Sequence, residues 1–270
     1  MEMPAPGPAL GPGVRAPDDG VPPITAHWLG RIGYRDAWDL QKRLAAARAA
    51  DRTGDLLLLL EHPAVLTLGR QADEAHVLAT AAELEARGIE LLRVERGGEV
   101  TYHGPGQLVA YPIVRLADRD LLLRPFVRAL EDALAATCRA FGVDAGRRDG
   151  HPGCWVHPDG PDPRKIGALG IRIERGVSYH GIALNVSVDL RDFDLIDPCG
   201  MPGLASASIL SELGRAGEAP TTGSVADAAA VFAPAFAGGI GARLDGLLPP
   251  NADPRLERAV LERLAAPLAA

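Results

Sequence analysis

The stretch from Arg164 to Met201 constrains the fold more than any other part of the chain. It contains two segments of alternating side chains, separated by the turn-forming sequence Glu174-Arg175-Gly176. Alternation with a period of two on both sides of a turn predicts a β-hairpin. Such a hairpin could bring Lys165, at its start, close to Cys199, which follows it in a Pro-Cys-Gly loop.

The two predicted strands each have a bulky face and a face of mostly small side chains. In the first strand, Leu169 and Ile171 alternate with Ala168 and Gly170, and the second strand, around residues 181–188, repeats the pattern. The bulky face suits a core. The small face leaves a groove for a slim apolar chain, although close packing of a helix against it would produce the same pattern.

The remaining chain mixes strands and helices without strict alternation. The leucine run in Asp55–Glu61 is short enough to be a strand buried on both faces. Pro125–Phe141 has one apolar stripe and predicts a helix, and a later helix from Val225 is expected to stop at Pro234. The pattern predicts an α+β fold, an α/β sandwich with a mixed, largely antiparallel sheet flanked by helices.

Composition limits the classes of protein to consider. The chain has 270 residues and a net charge of −7, which argues against nucleic acid as the main partner. Three cysteines without CxxC spacing suit a reducing cytoplasm, and no apolar run is long enough to span a bilayer. We expect a disordered Pro/Gly-rich leader over residues 1–23, one domain over 24–248 and a helical tail over 249–270.

Two of the three cysteines have structural explanations. Cys138 lies on the apolar stripe of its helix, which predicts a small core residue. Cys154 lies in His-Pro-Gly-Cys-Trp-Val-His, where His151 and His157 suggest a metal site. If this segment is a strand, Cys154 and His157 point to opposite faces, and no fourth ligand is near in sequence. We therefore predict no metal.

Cys199 and Lys165 are the candidates for covalent chemistry. A free thiol has a pKa of about 8.5, so a neighbouring ammonium is one way to obtain the nucleophilic thiolate. The chain has only one other lysine, Lys42, and arginine cannot exchange protons in the same way. A buried loop cysteine and a solvated surface lysine are the alternatives.

A glycine-rich segment, Arg96–Gln107, is the second candidate for a functional site. Its sequence RGGEVTYHGPGQ places four glycines beside Arg96 and His103. Backbone amides of such a loop can lie close to a ligand, which favours a substrate loop over a plain turn. It matches neither GxxxxGK[ST] nor a strand-to-helix GxGxxG, so it is not a nucleotide phosphate signature.

Together these segments resemble a known family. RGGEVTYHGPGQLVAYPIV, GCWV, RKIGALGIRI, HGIALNVSVDL and DPCGM occur in the order found in lipoyl(octanoyl) transferases. The resemblance covers roughly Ile24–Leu213 and implies the fold of the biotin and lipoate protein ligases. The segment after Cys199 departs from the family's threonine-serine pair, so we assign no role to Ser206 or Ser208.

The resemblance implies roles for particular residues. Cys199 would be the nucleophile that carries the acyl group as a thioester, and Lys165 would lower its pKa. The implied substrate-binding residues are Arg96, Gly97, Gly98, Glu99, Val100, Thr101, Tyr102, His103, Ala168, Leu169, Gly170, Gly181, Ile182 and Ala183.

The resemblance also implies an activity, acyl transfer in two steps. The donor would be octanoyl-acyl carrier protein, and the acceptors would be lysines of lipoyl domains of 2-oxoacid dehydrogenases and of the glycine cleavage H protein. No cofactor is implied. The alternatives are an ATP-dependent lipoate–protein ligase, a non-catalytic acyl- or lipoyl-domain-binding module and, more weakly, a cysteine hydrolase. The Pro-Cys-Gly loop and His-Gly-Pro-Gly-Gln favour the transferase.

Overall fold

An eight-stranded sheet forms the centre of the molecule, in a computed structural model that describes residues 20–217, 223–246, 248–249 and 251–266. The strand order is β11-β1-β2-β6-β10-β9-β8-β7. A second, three-stranded sheet has the order β4-β3-β5. The strands are β1 (Pro23–Arg31), β2 (Asp55–Glu61), β3 (Val65–Leu68), β4 (Glu90–Arg93), β5 (Val100–His103), β6 (Gln107–Ile113), β7 (Ala145–Arg148), β8 (His151–Val156), β9 (Arg164–Glu174), β10 (Val177–Asn185) and β11 (Arg243–Asp245).

The helices other than α2 pack on the two faces of the large sheet, and α2 packs against the small one. They are α1 (Tyr34–Ala49), α2 (Ala81–Ala86), α3 (Leu123–Ala140), α4 (Ile209–Arg215), α5 (Val225–Gly239) and α6 (Pro254–Ala265). One hydrophobic core lies between the sheet and α3 with α5, and another lies between the sheet and α1 with α6. In the large sheet β1 is parallel to β2 and β11, and the other neighbours are antiparallel. The predicted mixed, largely antiparallel α+β fold is confirmed.

The leucine run of β2 connects both cores. Leu57 and Leu59 belong to the core under α3 and α5, whereas Leu56, Leu58 and Leu60 belong to the core under α1 and α6. All five are buried because β2 is an interior strand with helices on both faces. Burial of each leucine contributes about 1.5–3 kcal/mol relative to an exposed side chain.

The predicted hairpin is formed by β9 and β10. Its turn is Arg175-Gly176, with φ of 50° and 77°, and two consecutive left-handed residues suit the twist of a two-residue hairpin turn. The register pairs Gly170 with Gly181 and Ala168 with Ala183. The small residues of the two strands therefore lie side by side.

One predicted element boundary is wrong. Helix α5 does not stop at Pro234 but continues to Gly239. A proline inside a helix removes one backbone hydrogen bond and costs about 3 kcal/mol or more. Phe232 and Phe236 flank the proline, and both are buried, with Phe236 against Phe126 of α3 at 6.0 Å between ring centroids. We attribute the continuation of the helix to this apolar packing, which offsets the lost bond.

The chain ends differ in what the structure describes. Residues 1–19 of the predicted leader, and residues 267–270, lie outside the described residues. In the predicted C-terminal tail, helix α6 lies against α1 and β1, and Leu261 is fully buried there. Within the described ranges, no helix is both long and apolar enough to cross a membrane.

Candidate active site

Lys165 is fixed in the interior of the large sheet. On one side, Lys165 pairs with Trp155 of β8 in the sheet register. On the other side its N–H donates to the carbonyl of Ala205, and its carbonyl accepts from the N–H of Ala207, both at 2.9 Å. The side chain is buried, and Nζ donates to Cys199 Sγ at 3.0 Å and to the Pro152 carbonyl at 3.1 Å.

Gly153 makes room for this lysine. Its φ of +127° is a conformation that residues with a side chain rarely adopt, and a Cβ there would lie 2.5 Å from the Gly167 carbonyl oxygen and 3.0 Å from Lys165 Cε. Its N–H donates to the buried carboxylate of Glu131 at 2.9 Å. Helix α3 therefore helps to position the backbone that carries Pro152 and Gly153.

Cys199 lies in a 3₁₀ turn, Pro198–Gly200. Its φ is +61° and that of Gly200 is +66°, so two successive residues are left-handed. For a residue with a Cβ this conformation costs roughly 1–2 kcal/mol. His76 and Glu99 contact the turn at Gly200, where an added Cβ would lie 2.9 Å from His76 Cε1. The Cys199 side chain is partly exposed.

A pocket of about 440 Å³ opens beside Cys199. The glycine-rich segment and the small-residue face of the β9–β10 hairpin supply much of its wall. The predicted site residues in its lining are Arg96, Val100, Thr101, His103, Ala168, Leu169, Gly170, Gly181, Ile182, Ala183 and Cys199. The structure thus brings the nucleophile candidate and most predicted binding residues to one cavity.

Five predicted residues do not line this pocket. Lys165 borders a neighbouring cavity with Cys199. Tyr102 points to the other side of β5, where its hydroxyl donates to Asp192 at 2.6 Å, because side chains alternate along the strand. The N–H of Gly97 donates to the carbonyl of Ile171. Gly98 and Glu99 follow in the same turn, and the Glu99 carboxylate lies 3.4 Å from His76 Nδ1.

Arg96 lines the pocket and also holds the loop together. Its guanidinium donates to the Thr67 hydroxyl at 3.1 and 3.0 Å, to the Thr67 carbonyl at 2.7 Å and to the Gly97 carbonyl at 3.0 Å. These bonds join the start of the glycine-rich segment to β3. Most of the donor capacity of Arg96 is therefore directed at the protein backbone and at Thr67.

Sequence reasoning missed a polar-aromatic cluster at the pocket, formed by Tyr34, His62, His103, Tyr111 and His180. Tyr34 stacks on His103 with ring centroids 5.8 Å apart, and His62 shares a hydrogen bond with the Tyr111 hydroxyl at 2.8 Å. Tyr111 meets His180 edge to face at 6.3 Å. Histidines at the end of one buried strand and within another were the available signal.

Burial keeps this cluster uncharged. Desolvation lowers the pKa of His62 to about 4 and the pKa values of His103 and His180 to about 3. It also raises the pKa of Tyr34 to about 12. Both ring nitrogens of His180 are buried without a hydrogen-bond partner among the described residues. The cluster is therefore neutral near pH 7 and presents aromatic surface to the pocket.

A buried hydrogen-bond chain connects the glycine-rich segment to the loop that follows Cys199. His103 Nδ1 donates to Gln107 Oε1 at 2.7 Å, and Gln107 Nε2 donates to Asn185 Oδ1 at 2.9 Å. Asn185 Nδ2 in turn donates to the Ala207 carbonyl at 2.9 Å. Satisfied networks of this kind rigidify the groups they join. The next residue, Ser208, caps the N-terminus of α4.

Cys138 and Cys154 lie away from this site. Both are fully buried in the core between the sheet and α3, and a hydrogen bond with Cys154, together with burial, raises the pKa of the Cys138 thiol. In the part of the chain that the structure describes, no group of three or more His, Cys, Asp or Glu side chains is placed to hold a metal ion.

The chain is similar to proteins of one family. The model of the lipoyl protein ligase A/B catalytic domain matches residues 33–235. An octanoyltransferase of Chloroflexus aurantiacus is 47% identical over 194 residues, which cover 72% of this chain and 86% of the relative. An octanoyltransferase of Rhodococcus opacus is 42% identical over 250 residues, covering 90% and 89%.

Solved structures agree on the fold. A putative lipoate protein ligase of T. acidophilum with bound lipoic acid has a TM-score of 0.58 and 18% identity, covering 90% of this chain and 94% of its own. Lipoate-protein ligase A bound with ATP has a TM-score of 0.57 and 15% identity, covering 91% and 94%. With the sequence matches, these findings confirm the resemblance: the chain belongs to the lipoyl protein ligase A/B catalytic-domain family and, within it, to the octanoyltransferases, which are acyltransferases.

Proposed function

We propose that this enzyme moves an octanoyl group from acyl carrier protein to a lysine of a lipoyl domain through a thioester on Cys199. The observation that carries the proposal is the 3.0 Å contact between Lys165 Nζ and Cys199 Sγ beside the pocket. The contact places the amine where it can exchange a proton with the sulfur, and the thiolate is the nucleophilic form of cysteine.

The first step exchanges one thioester for another. The thiolate of Cys199 attacks the carbonyl carbon of the donor thioester, the new carbon–sulfur bond forms, and the bond to the carrier's sulfur breaks. The departing thiolate takes a proton from Lys165, which leaves that amine neutral. Because the bonds formed and broken are similar, the step needs no ATP.

The second step forms the product amide. The amine of the acceptor lysine attacks the enzyme thioester, the carbon–sulfur bond breaks, and Cys199 regains its thiolate. Lys165, neutral after giving up its proton, accepts the proton that the attacking amine loses. Its hydrogen bond to the Pro152 carbonyl keeps Nζ oriented while Sγ is acylated.

The pocket suits a slim apolar chain. Ala168, Gly170, Gly181 and Ala183 line the pocket and contribute walls without bulk, which leaves a narrow space beside Cys199. The polar-aromatic cluster adds no charge to the wall that an acyl chain would contact. The three cysteines are free thiols, which suits action in a reducing cytoplasm.

Intact-mass analysis after incubation with octanoyl-acyl carrier protein, without ATP, tests the proposal. We expect the wild-type enzyme to gain one octanoyl group and to lose it when a lipoyl domain is added. Cys199→Ala should gain none, whereas Cys138→Ala, the matched control at a buried cysteine, should still be acylated. An adduct that persists in Cys199→Ala, or transfer that requires ATP, would refute the assignment.

A further inference from the structure

A wide groove lies between the first half of α3 and the hairpin of β7 and β8. Its volume is about 1210 Å³, and its lining includes Arg124 and Arg128 of α3 and Arg147, Arg148 and His151 of the hairpin. We call this surface the basic groove. It is separate from the acyl pocket and shares no lining residue with it.

The lining of the basic groove has four arginines and two carboxylates, an excess of positive charge, although the whole chain has a net charge of −7. Of the two acidic groups that line it, Glu131 is buried and accepts from the Gly153 N–H, while Asp149 is exposed. Arg147 pairs with Asp132 at 3.0 Å. In the described ranges, Arg124, Arg128 and Arg148 have no carboxylate within 4.0 Å.

The basic groove ends next to the reactive pair. Pro152 lines it, and the Pro152 carbonyl is the group that accepts from Lys165 Nζ at 3.1 Å. The guanidinium carbon of Arg148 lies 5.3 Å from the centroid of the buried Trp155 ring, and Lys165 Nζ lies 5.0 Å from the same ring. An arginine of the groove and the lysine that contacts Cys199 therefore lie near the same indole ring.

Apolar side chains accompany the arginines. Leu123 lines the groove and is 51% exposed, and the adjacent Leu122 is 74% exposed. Large exposed side chains beside unpaired arginines form the kind of surface that binds an acidic amphipathic helix, because it offers both apolar contact and charge complementarity.

We propose that the basic groove docks the donor, an acidic carrier protein that delivers its thioester on a phosphate-bearing arm. The inference rests on the proposed function and extends it to the surface used by one partner. A positive surface attracts the acidic carrier and its phosphate, but it repels the lysine ammonium that the acceptor must present. The surface beside Pro198, the residue that precedes Cys199, instead carries Asp194 and Asp197.

Charge reversal on α3 tests the inference. Arg128→Glu should raise the KM for octanoyl-acyl carrier protein roughly tenfold, and Arg124→Glu/Arg128→Glu should raise it further, with a weaker dependence of the rate on salt. The KM for the lipoyl domain and the rate of alkylation of Cys199 by iodoacetamide should stay unchanged. The matched control is Arg139→Glu, because Arg139 is exposed on the same helix but lies outside the groove.

The outcomes separate the two proposals. If the wild-type enzyme gains no octanoyl group from the carrier, the proposed function fails, and the docking inference fails with it. If the wild-type enzyme is acylated and Arg128→Glu keeps the KM of Arg139→Glu for the carrier, only the docking inference is wrong. A KM that rises for the lipoyl domain and not for the carrier would assign the groove to the acceptor and overturn it.

Discussion

Lys165 and Cys199 touch each other but are held by opposite kinds of backbone. Lys165 is a buried strand residue whose N–H and carbonyl are both bonded. Cys199 is partly exposed, left-handed and followed by a glycine in a 3₁₀ turn. The difference suits their proposed tasks, since the cationic group needs a fixed position, whereas the nucleophile must be reached by two different substrates.

Two glycines show how each side is built. At Gly153, on the lysine side, an added Cβ would meet the Gly167 carbonyl oxygen at 2.5 Å, and a sheet backbone cannot move aside cheaply. At Gly200, on the cysteine side, the nearest atom would be His76 Cε1 at 2.9 Å, and that ring is a side chain of a surface turn. Substitution of glycine by alanine should therefore be tolerated less well at Gly153 than at Gly200.

Lys165→Arg should lower activity the most. The variant keeps the positive charge, but arginine cannot exchange a proton at neutral pH. General acid–base groups contribute about 10²–10⁴-fold, so we expect kcat to fall about 100-fold or more. Steady-state transfer to a lipoyl domain measures this, and Lys42→Arg is the control at the chain's other lysine. Activity equal to that of the wild type would remove the proton-transfer role and leave Lys165 as a fixed charge.

Gly153→Ala should be next, with a loss of about 1–3 kcal/mol in the free energy of unfolding because of the strained φ and the carbonyl contact. It should also displace Lys165 and lower kcat/KM. Urea unfolding and transfer kinetics provide the two readouts. Gly150→Ala, also left-handed in the same hairpin but with no atom within 4 Å of the added Cβ, is the control. Equal losses in both variants would show that Lys165 is not packed as tightly as described.

Gly200→Ala should have the smallest effect. We expect a loss of about 1 kcal/mol from the left-handed backbone, plus a small contribution from His76, which can turn away. Gly203→Ala, at φ +74° in the same loop with nothing within 4 Å of its Cβ, isolates the backbone contribution. Urea unfolding compares the two. A loss greater than that of Gly153→Ala would reverse the ranking of the two sides.

Local pattern was sufficient for the elements that surround the site. Alternation predicted the β9–β10 hairpin, and the leucine run predicted an interior strand. Both predictions were possible because successive side chains of a strand point to opposite faces, so the residue pattern shows which faces are buried. The histidines of the polar-aromatic cluster were visible in the sequence, but their assembly was not, because the members of the cluster come from distant segments. His180 also has a φ of +54°, which breaks the alternation and turns its ring toward Tyr111 and Tyr179.

Proximity of Lys165 and Cys199 was predictable only as a possibility. The β9–β10 hairpin brings the chain back toward Lys165, but the contact between Lys165 and Cys199 depends on residues that follow Cys199. Pairing of residues 205–207 with Lys165, and the bond from Asn185 to Ala207, fix the end of that loop. Such pairings are set by the tertiary structure, and the sequence MPGLASASIL has no period that would indicate them.

The return of the chain to Lys165 after Cys199 has a consequence for the pair in solution. Residues 199–205 form a short tether, one end carrying the thiol and the other bonded to the backbone of the lysine itself. The separation of the Lys165 amine and the Cys199 thiol is therefore set by this short closed segment of chain. The effective concentration of the amine at the sulfur stays high when more distant parts of the molecule fluctuate. Motions that open the pocket to a bulky partner can then proceed without separating the two groups.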